Sequence, residues 1–457
     1  MNSLRSIVRL FAGLVSAAAL ALLGGCLKER LVWSPDGHEA AVLTGDGLRF
    51  CTPDGTLTAL AVSEARLAVW LPDSQHLLVV RERSLATWTE VSALLAPTGR
   101  SEAMAAGDLL LARLREGARW SDLRPQHAKQ VELALLYLRD TRGEELRSRL
   151  SPDEAQALAP LTAKLQEIFL ARRQGTGVEL GAPLFADVQN SITAIRLAPG
   201  GKAAAITLEL PEGDRFALAA LMLEASAAPL SIATDVAAHP DWTPDGRALI
   251  YAQAVANQVK GLPQFAVLMR REVFDAAGKP ALAERPTELG GLLFQSLGRI
   301  RCLADGRIVF NAAELALPLS ASDFEPEREQ LFVLDPARQA TLARLTTRSS
   351  SERLPQLLAF FEPSADGRKL LIGGRHGEVC VFTLATGEVQ QIQEGDKDQR
   401  CLPAWRGPDE FTYLRRNAAA LGETPARRVE VVLRRGDQET VLSTNWPDAI
   451  LKGLSED

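Results

Sequence analysis

Trp242-Thr243-Pro244-Asp245-Gly246-Arg247, running into the apolar stretch 248–252, is the segment whose reading decides the fold. An aromatic strand end meets Pro, which presets φ for a turn. Asp can accept hydrogen bonds from its own following backbone, and Gly supplies the positive φ that closes a hairpin. A second strand then starts in Ala, Leu, Ile and Tyr. The same unit stands at Trp33-Ser34-Pro35-Asp36-Gly37, followed by 39–44, and at Phe361-Glu362-Pro363-Ser364-Ala365-Asp366-Gly367-Arg368, followed by 369–373. Degenerate copies stand at Trp70-Leu71-Pro72-Asp73, Leu197-Ala198-Pro199-Gly200-Gly201-Lys202, Leu303-Ala304-Asp305-Gly306-Arg307 and Trp405-Arg406-Gly407-Pro408-Asp409. That makes seven copies.

Behind several copies a second hairpin is legible. Residues 379–384 run into Ala385-Thr386-Gly387-Glu388 and then 389–392; residues 429–434 run into Arg435-Gly436-Asp437 and then 440–443. Four short antiparallel strands per repeat is the requirement of a propeller blade. The repeats resemble the Pro-Asp-Gly propellers of the TolB family, a branch of the WD-repeat-like propellers, over most of the chain in pieces. The expected fold is all-β: a propeller of about seven four-stranded blades, with six or eight as alternatives. On this reading Pro35, Asp36, Gly37, Pro244, Asp245, Gly246, Asp366 and Gly367 are turn-forming and structural, and Trp33, Trp242 and Trp405 pack between blades. TolB-like proteins carry an α/β domain ahead of the propeller. Here the first repeat begins about five residues after Cys26, so that domain is expected to be missing and the TolB role does not transfer directly.

One interval is too long for a blade. Pro72 and Pro199 lie 127 residues apart, Pro199 and Pro244 only 45. Ser151-Pro152-Asp153-Glu154 reads as a capping box with Pro at the first helical position. Leu158, Leu161, Leu165 and Ile168 follow at helical spacing, and Val131, Leu135 and Leu138 form a similar stripe. The expected organisation is a leader at 1–25, first blades at 26–90, a helical insertion at 91–175, remaining blades at 176–450 and a tail at 451–457. Such an insertion offers a surface of its own, expected to hold the main partner contact, with Trp120 as the candidate interaction residue.

The chain opens with Arg5 and Arg9, continues through an apolar segment from Leu10 to Leu23, and reaches Leu23-Gly24-Gly25-Cys26. This is the layout of a secretory signal, and the Cys after two small residues resembles a bacterial lipoprotein signal. The resemblance implies cleavage before Cys26 and acylation there, with Leu27 implying the outer membrane, facing the periplasm. The remaining composition is that of a globular chain: 457 residues, 46% hydrophobic, 24% charged and a formal net charge of −6. No basic run gives a nucleic-acid footprint. No later apolar stretch of about 20 residues would span a bilayer.

Catalytic signals are thin. No G-x-S-x-G, H-E-x-x-H, P-loop or G-x-G-x-x-G occurs. The five His are scattered, and Cys51, Cys302, Cys380 and Cys401 lack paired close spacing; whether any pair is bridged stays open. Asp36, Asp245, Asp305 and Asp366 recur at turn positions, too far apart around a ring for the roughly 5–9 Å of a paired-carboxylate site. The expectation is therefore no catalytic residue, no metal and no cofactor. The role expected is a lipid-anchored envelope propeller that binds or scaffolds a protein partner. A propeller lyase or glycoside hydrolase, or a glycan or small-ligand sensor, are the alternatives.

Overall fold

The computed structural model describes residues 30–447 and Ile450, apart from 119–127, 159, 176, 212–214, 225–227, 256–263, 295–297, 314–328, 339–340, 347–352, 356–357, 375–377, 393–397 and 418–427. Cys26, Trp120, His127 and His376 lie outside the described residues. Among the described residues, twenty-eight of twenty-nine strands form seven four-stranded antiparallel blades. Blade 1 is β1 (Leu31–Trp33), β2 (Ala40–Thr44), β3 (Gly47–Cys51) and β4 (Val62–Ser63). Blade 2 is β5 (Ala65–Trp70), β6 (His76–Leu85), β7 (Ala163–Gln174) and β8 (Gly177–Asp187). Blade 3 is β9 (Ser191–Leu197), β10 (Ala203–Glu209), β11 (Phe216–Met222) and β12 (Leu230–Thr234). A short β13 (Ala238–His239) precedes blade 4, which is β14 (Asp241–Trp242), β15 (Ala248–Ala254), β16 (Gln264–Glu272) and β17 (Thr287–Phe294). Blade 5 is β18 (Gly298–Cys302), β19 (Ile308–Ala313), β20 (Glu329–Asp335) and β21 (Thr341–Arg344). Blade 6 is β22 (Leu358–Pro363), β23 (Lys369–Gly374), β24 (Val379–Thr383) and β25 (Glu388–Gln391). Blade 7 is β26 (Asp398–Gly407), β27 (Glu410–Asn417), β28 (Arg428–Arg435) and β29 (Gln438–Pro447). The seven turn copies map one to each blade.

The turn chemistry repeats atom for atom. The hydroxyls of Ser34, Thr243 and Ser364 donate to Asp36, Asp245 and Asp366 at 2.6, 2.5 and 2.6 Å. The same hydroxyls accept the amides of Glu39, Ala248 and Lys369 at 3.1, 3.0 and 3.0 Å. Each Asp also accepts the amide two residues on. Gly246 takes φ +68°, the left-handed region where Cβ is disfavoured. In the degenerate blade 2 copy, Ser74 takes that position at φ 57°. Its hydroxyl accepts the Asp36 amide of the neighbouring turn at 3.2 Å, tying blades 1 and 2 together.

Between blades, the cores are sheets of buried apolar side chains shared by neighbours. Trp242 packs with Ala203, Ala205 and Ala220 of blade 3; Ile250 and Leu268 of blade 4 pack with Ile300 and Phe310 of blade 5. Trp side chains at the turn end of the inner strands also hydrogen-bond across blades. Trp70 donates to the Val32 carbonyl at 3.0 Å, Trp242 to Arg196 at 2.9 Å and Trp405 to Glu362 at 2.8 Å.

The helical insertion lies inside blade 2, between β6 and β7. It comprises α1 (Trp88–Leu94), α2 (Pro97–Arg115), α3 (Ala128–Thr141), α4 (Gly143–Ser148) and α5 (Pro152–Leu158). Thr87 and Glu90 form a reciprocal capping box at α1. Ser151 and Glu154 do the same at α5, where the Glu154 amide donates to the Ser151 hydroxyl at 3.3 Å and the Ser151 amide to the Glu154 carboxylate at 2.8 Å. The insertion has its own core of Trp88, Val91, Leu111, Leu136, Leu138 and Leu146, which reaches the ring through Leu85, Leu165 and Val188. The helical expectation through residue 175 is corrected here: 163–174 is strand β7, ten residues of which pair with β6. Leu165 and Ile168 are buried because that strand is covered on both faces, not because they line a helix.

Antiparallel order sorts the loops. Turns from the first to the second strand, which carry the Pro-Asp-Gly motifs, lie on one face of the ring with the third-to-fourth turns. The second-to-third connections, the insertion among them, lie on the opposite face, where each inner strand begins. These are called below the turn face and the insertion face.

Candidate functional site

A cavity of about 790 Å³ opens along the axis of the ring and is framed by the inner strands and the turn motifs. Pro35, Pro244 and Gly367, from turns of blades 1, 4 and 6, stand at its wall, with Trp33, Trp70, Trp242 and Trp405 beside them. The turn residues are thus structural in their hydrogen bonds and also form the lip of a funnel. Asp36, Asp245 and Asp366 are engaged in the turns themselves.

Sequence reasoning missed a charged network at the funnel, in which Arg196, Asp241 and Glu362 line the cavity and Arg301 backs Glu362. Arg196, Asp241, Arg301 and Glu362 come from blades 3, 4, 5 and 6, and each stands five residues before the positive-φ Gly of its turn: Gly201, Gly246, Gly306 and Gly367. In blades 1 and 2 the equivalent residues are Val32 and Val69. Alternating charge at one register of otherwise apolar inner strands was the available signal.

The four side chains form one network. Arg196 Nε meets Asp241 Oδ1 at 2.7 Å, and Arg196 Nη1 meets Glu362 Oε1 at 2.9 Å. Arg301 Nε meets Glu362 Oε2 at 2.6 Å. Asp241 also accepts the amides of Trp242 at 2.9 Å and Cys302 at 2.8 Å. Arg196 and Glu362 belong to blades three apart, so the network crosses the channel instead of following the ring. Asp241 and Arg301 are nearly dry, their side chains 6% and 4% exposed. Taking such ions out of water costs several kcal/mol apiece, which the pairing and the backbone hydrogen bonds offset. Burial, then the neighbouring Asp241 carboxylate, pushes the Cys302 thiol well above its ordinary range, which keeps it a thiol.

His239 lies two residues deeper than Asp241. Its strand β13 pairs in parallel with β18 of the next blade, His239 opposite Arg299. Burial, then the charges of Arg299 and Arg301, pushes this imidazole down to about 3, so it is neutral at physiological pH. Its Nδ1 has no hydrogen-bond partner among the described residues. His38 is exposed at a turn, and His76 contacts Asp73 at 2.6 Å. Among the described residues no group of three or more His, Cys, Asp or Glu is arranged to hold a metal ion. Cys51, Cys302, Cys380 and Cys401 are unbridged.

No family profile matches this sequence, and no curated protein matches it. Among solved structures, a TolB from Agrobacterium tumefaciens is 14% identical, with 59% of this chain and 85% of that one covered, at a TM-score of 0.38. An oligogalacturonate lyase in complex with manganese is 8% identical, with 84% of each chain covered, at 0.46. A periplasmic gluconolactonase from Pseudomonas aeruginosa is 14% identical, with 61% and 78% covered, at 0.39. At these levels the strand pairing carries the fold: the chain is a seven-bladed β-propeller with a helical insertion in its second blade.

Proposed function

We propose that this chain is an exported, lipid-anchored propeller that binds a protein partner of the cell envelope through the funnel on its turn face. The observation that carries the reading is the state of the charge network that spans the channel, three of whose members line the funnel. Arg196, Asp241, Arg301 and Glu362 satisfy one another, leaving a rigid, indole- and proline-framed concavity suited to recognition by shape. The Leu23-Gly24-Gly25-Cys26 signal supports export and acylation at Cys26.

The test fills the funnel without touching its network. Ala304 and Ala365 line the cavity and are exposed at turns. Ala304→Trp with Ala365→Trp should leave the melting temperature unchanged and lower recovery of cross-linked envelope partners at least tenfold. Equal recovery by a folded variant would defeat the binding reading. Intact mass of the membrane-extracted protein reads the anchor: acyl chains are expected, and Cys26→Ser should remove them and release the protein from the membrane.

A further inference from the structure

Lipid attached at Cys26 would leave the ring little freedom in how it faces a bilayer. Only residues 27–29 separate Cys26 from Arg30, the residue before the inner strand β1. Four Cα-to-Cα steps span at most about 14 Å when fully extended. Strand β1 begins on the insertion face and ends at the Pro35-Asp36-Gly37 turn. The tether therefore leaves the insertion face close to the channel axis.

A raised feature on that face stands in the adjacent blade. Strand β5 stops pairing with β6 at Arg81, but the β6–β7 hairpin continues through Glu82–Gln166, Arg83–Leu165, Ser84–Lys164 and Leu85–Ala163. Four further pairs lift the hairpin by about 13 Å. The helical insertion sits at its end and adds its own thickness. It leans over the connection from blade 2 to blade 3, where Val188 joins its core. A bilayer held within about 14 Å of Arg30 cannot pass above a structure raised this far without meeting it.

The insertion also presents apolar side chains outward. Leu94, Met104 and Leu109 are 46%, 37% and 59% exposed, three of the seven large apolar residues so exposed among the described residues. On α2, Ala103, Gly107, Leu111 and Leu114 are buried, Met104 borders that stripe and Leu109 stands on the side away from it. We infer that the helical insertion is a lipid-contacting foot: the acylated chain rests its insertion face on the bilayer through α1 and α2 and holds the funnel away from the membrane. This rests on the anchoring reading above. It reassigns the insertion from the partner contact expected from sequence to a lipid contact.

The experiment uses full-length protein extracted from membranes and reconstituted in phosphatidylethanolamine–phosphatidylglycerol vesicles. A clickable non-canonical residue replaces Leu109 in one variant and Asp305, on the turn face, in another. Each carries an environment-sensitive fluorophore, and doxyl-labelled lipids act as the quencher. Quenching at position 109 should exceed that at 305 several-fold. Equal quenching, or stronger quenching at 305, overturns the orientation. Intact mass of the same samples reads acylation separately. If Cys26 carries no acyl chain the anchoring reading fails. The chain starting at Cys26, with Cys302→Ala and Cys401→Ala, is then coupled to maleimide-lipid vesicles. That places the same tether at the same residue, and the quenching comparison decides the orientation alone.

Discussion

At the scale of single residues, two kinds of charge set the pH response, with windows that do not coincide. The Ser364 hydroxyl, joined by the Arg368 amide, holds the Asp366 carboxyl below its ordinary 3.8; the Thr44 and Thr52 hydroxyls do the same for Asp46 and Asp54. Carboxyls depressed on folding contribute stability that is full above the unfolded value and lost as pH falls below it. These turns should therefore weaken only below about pH 4. His239 acts earlier. Unfolded, it takes up a proton near 6.5; folded, it resists protonation down to about 3. The unfolded state binds the extra proton between those values, so stability is lost as pH drops through that window, by up to about 1.4 kcal/mol per pH unit. His239→Leu should flatten the slope of urea midpoint against pH between 7 and 4 relative to the parent, and an unchanged slope would remove His239 as its source. In the network, Glu362→Ala leaves Arg301 as a dry cation that has lost this carboxylate. A loss of roughly 3–5 kcal/mol is expected, with a smaller loss for Glu362→Gln, read as falls in melting temperature. Equal, negligible effects would mean that water solvates Arg301 in place of Glu362.

At the scale of elements, the insertion and the blade that carries it separate cleanly. Leu85 and Ala163 are directly paired, so residues 86–162 can be replaced by Asn-Gly, a two-residue loop suited to a hairpin. The ring should keep a cooperative melting transition, because blades contact mainly their neighbours. Aggregation of this variant, or loss of the transition, would show that the helices complete the core of blades 2 and 3. A cut extended to Gly175 would remove β7 and with it the centre of the blade, a boundary the chain disguises. Strand β7 is buried on both faces over Leu165–Phe169, Gln166 and Glu167 included, so its apolar Leu165, Ile168 and Phe169 fall at i, i+3 and i+4 and read as one face of a helix. The turns were legible for the opposite reason: Pro, Asp and Gly act through bonds to residues within five positions, which sequence displays directly. The same local chemistry at Thr52-Pro53-Asp54-Gly55, where Asp54 accepts the Thr52 hydroxyl and the Thr56 amide, escaped notice because it closes an outer hairpin, off the repeat. The funnel network was opaque because Arg196 and Glu362 meet only once seven blades have closed a circle.

At the scale of the whole molecule, closure is the step on which everything else depends. Blade 1 is built wholly from the start of the described chain and blade 7 wholly from its end, so no strand is shared across the seam. Side chains hold it instead. Leu31, Trp33, Ala40 and Val42 pack on Leu414, Val429, Val431 and Trp446. Trp33 donates to the Thr412 hydroxyl at 2.8 Å and Trp446 to the Gly55 carbonyl at 2.8 Å. Arg406 lies over the Trp33 ring at 4.8 Å and donates to the Gly37 carbonyl at 3.2 Å. A chain ended before Arg428 lacks β28 and β29 and should be insoluble or protease-sensitive, since open blade faces and strand edges invite aggregation. A gentler probe compares two glycines in the same turn register. Gly37 and Gly246 take φ +70° and +68°, so Ala at either site bears the same left-handed strain of about 1–2 kcal/mol. Their surroundings differ. A Cβ on Gly37 would stand 2.7 Å from the Arg406 carbonyl oxygen across the seam, whereas on Gly246 the nearest atom is 3.6 Å away, in Pro199. Backbone cannot swing aside as a side-chain tip can, so Gly37→Ala must also push blades 1 and 7 apart. Its urea midpoint should fall further than that of Gly246→Ala, and proteolysis at the seam should rise with it. Equal midpoints, with equal protease resistance, would show that the seam yields at no cost and that closure is not where this ring is weakest.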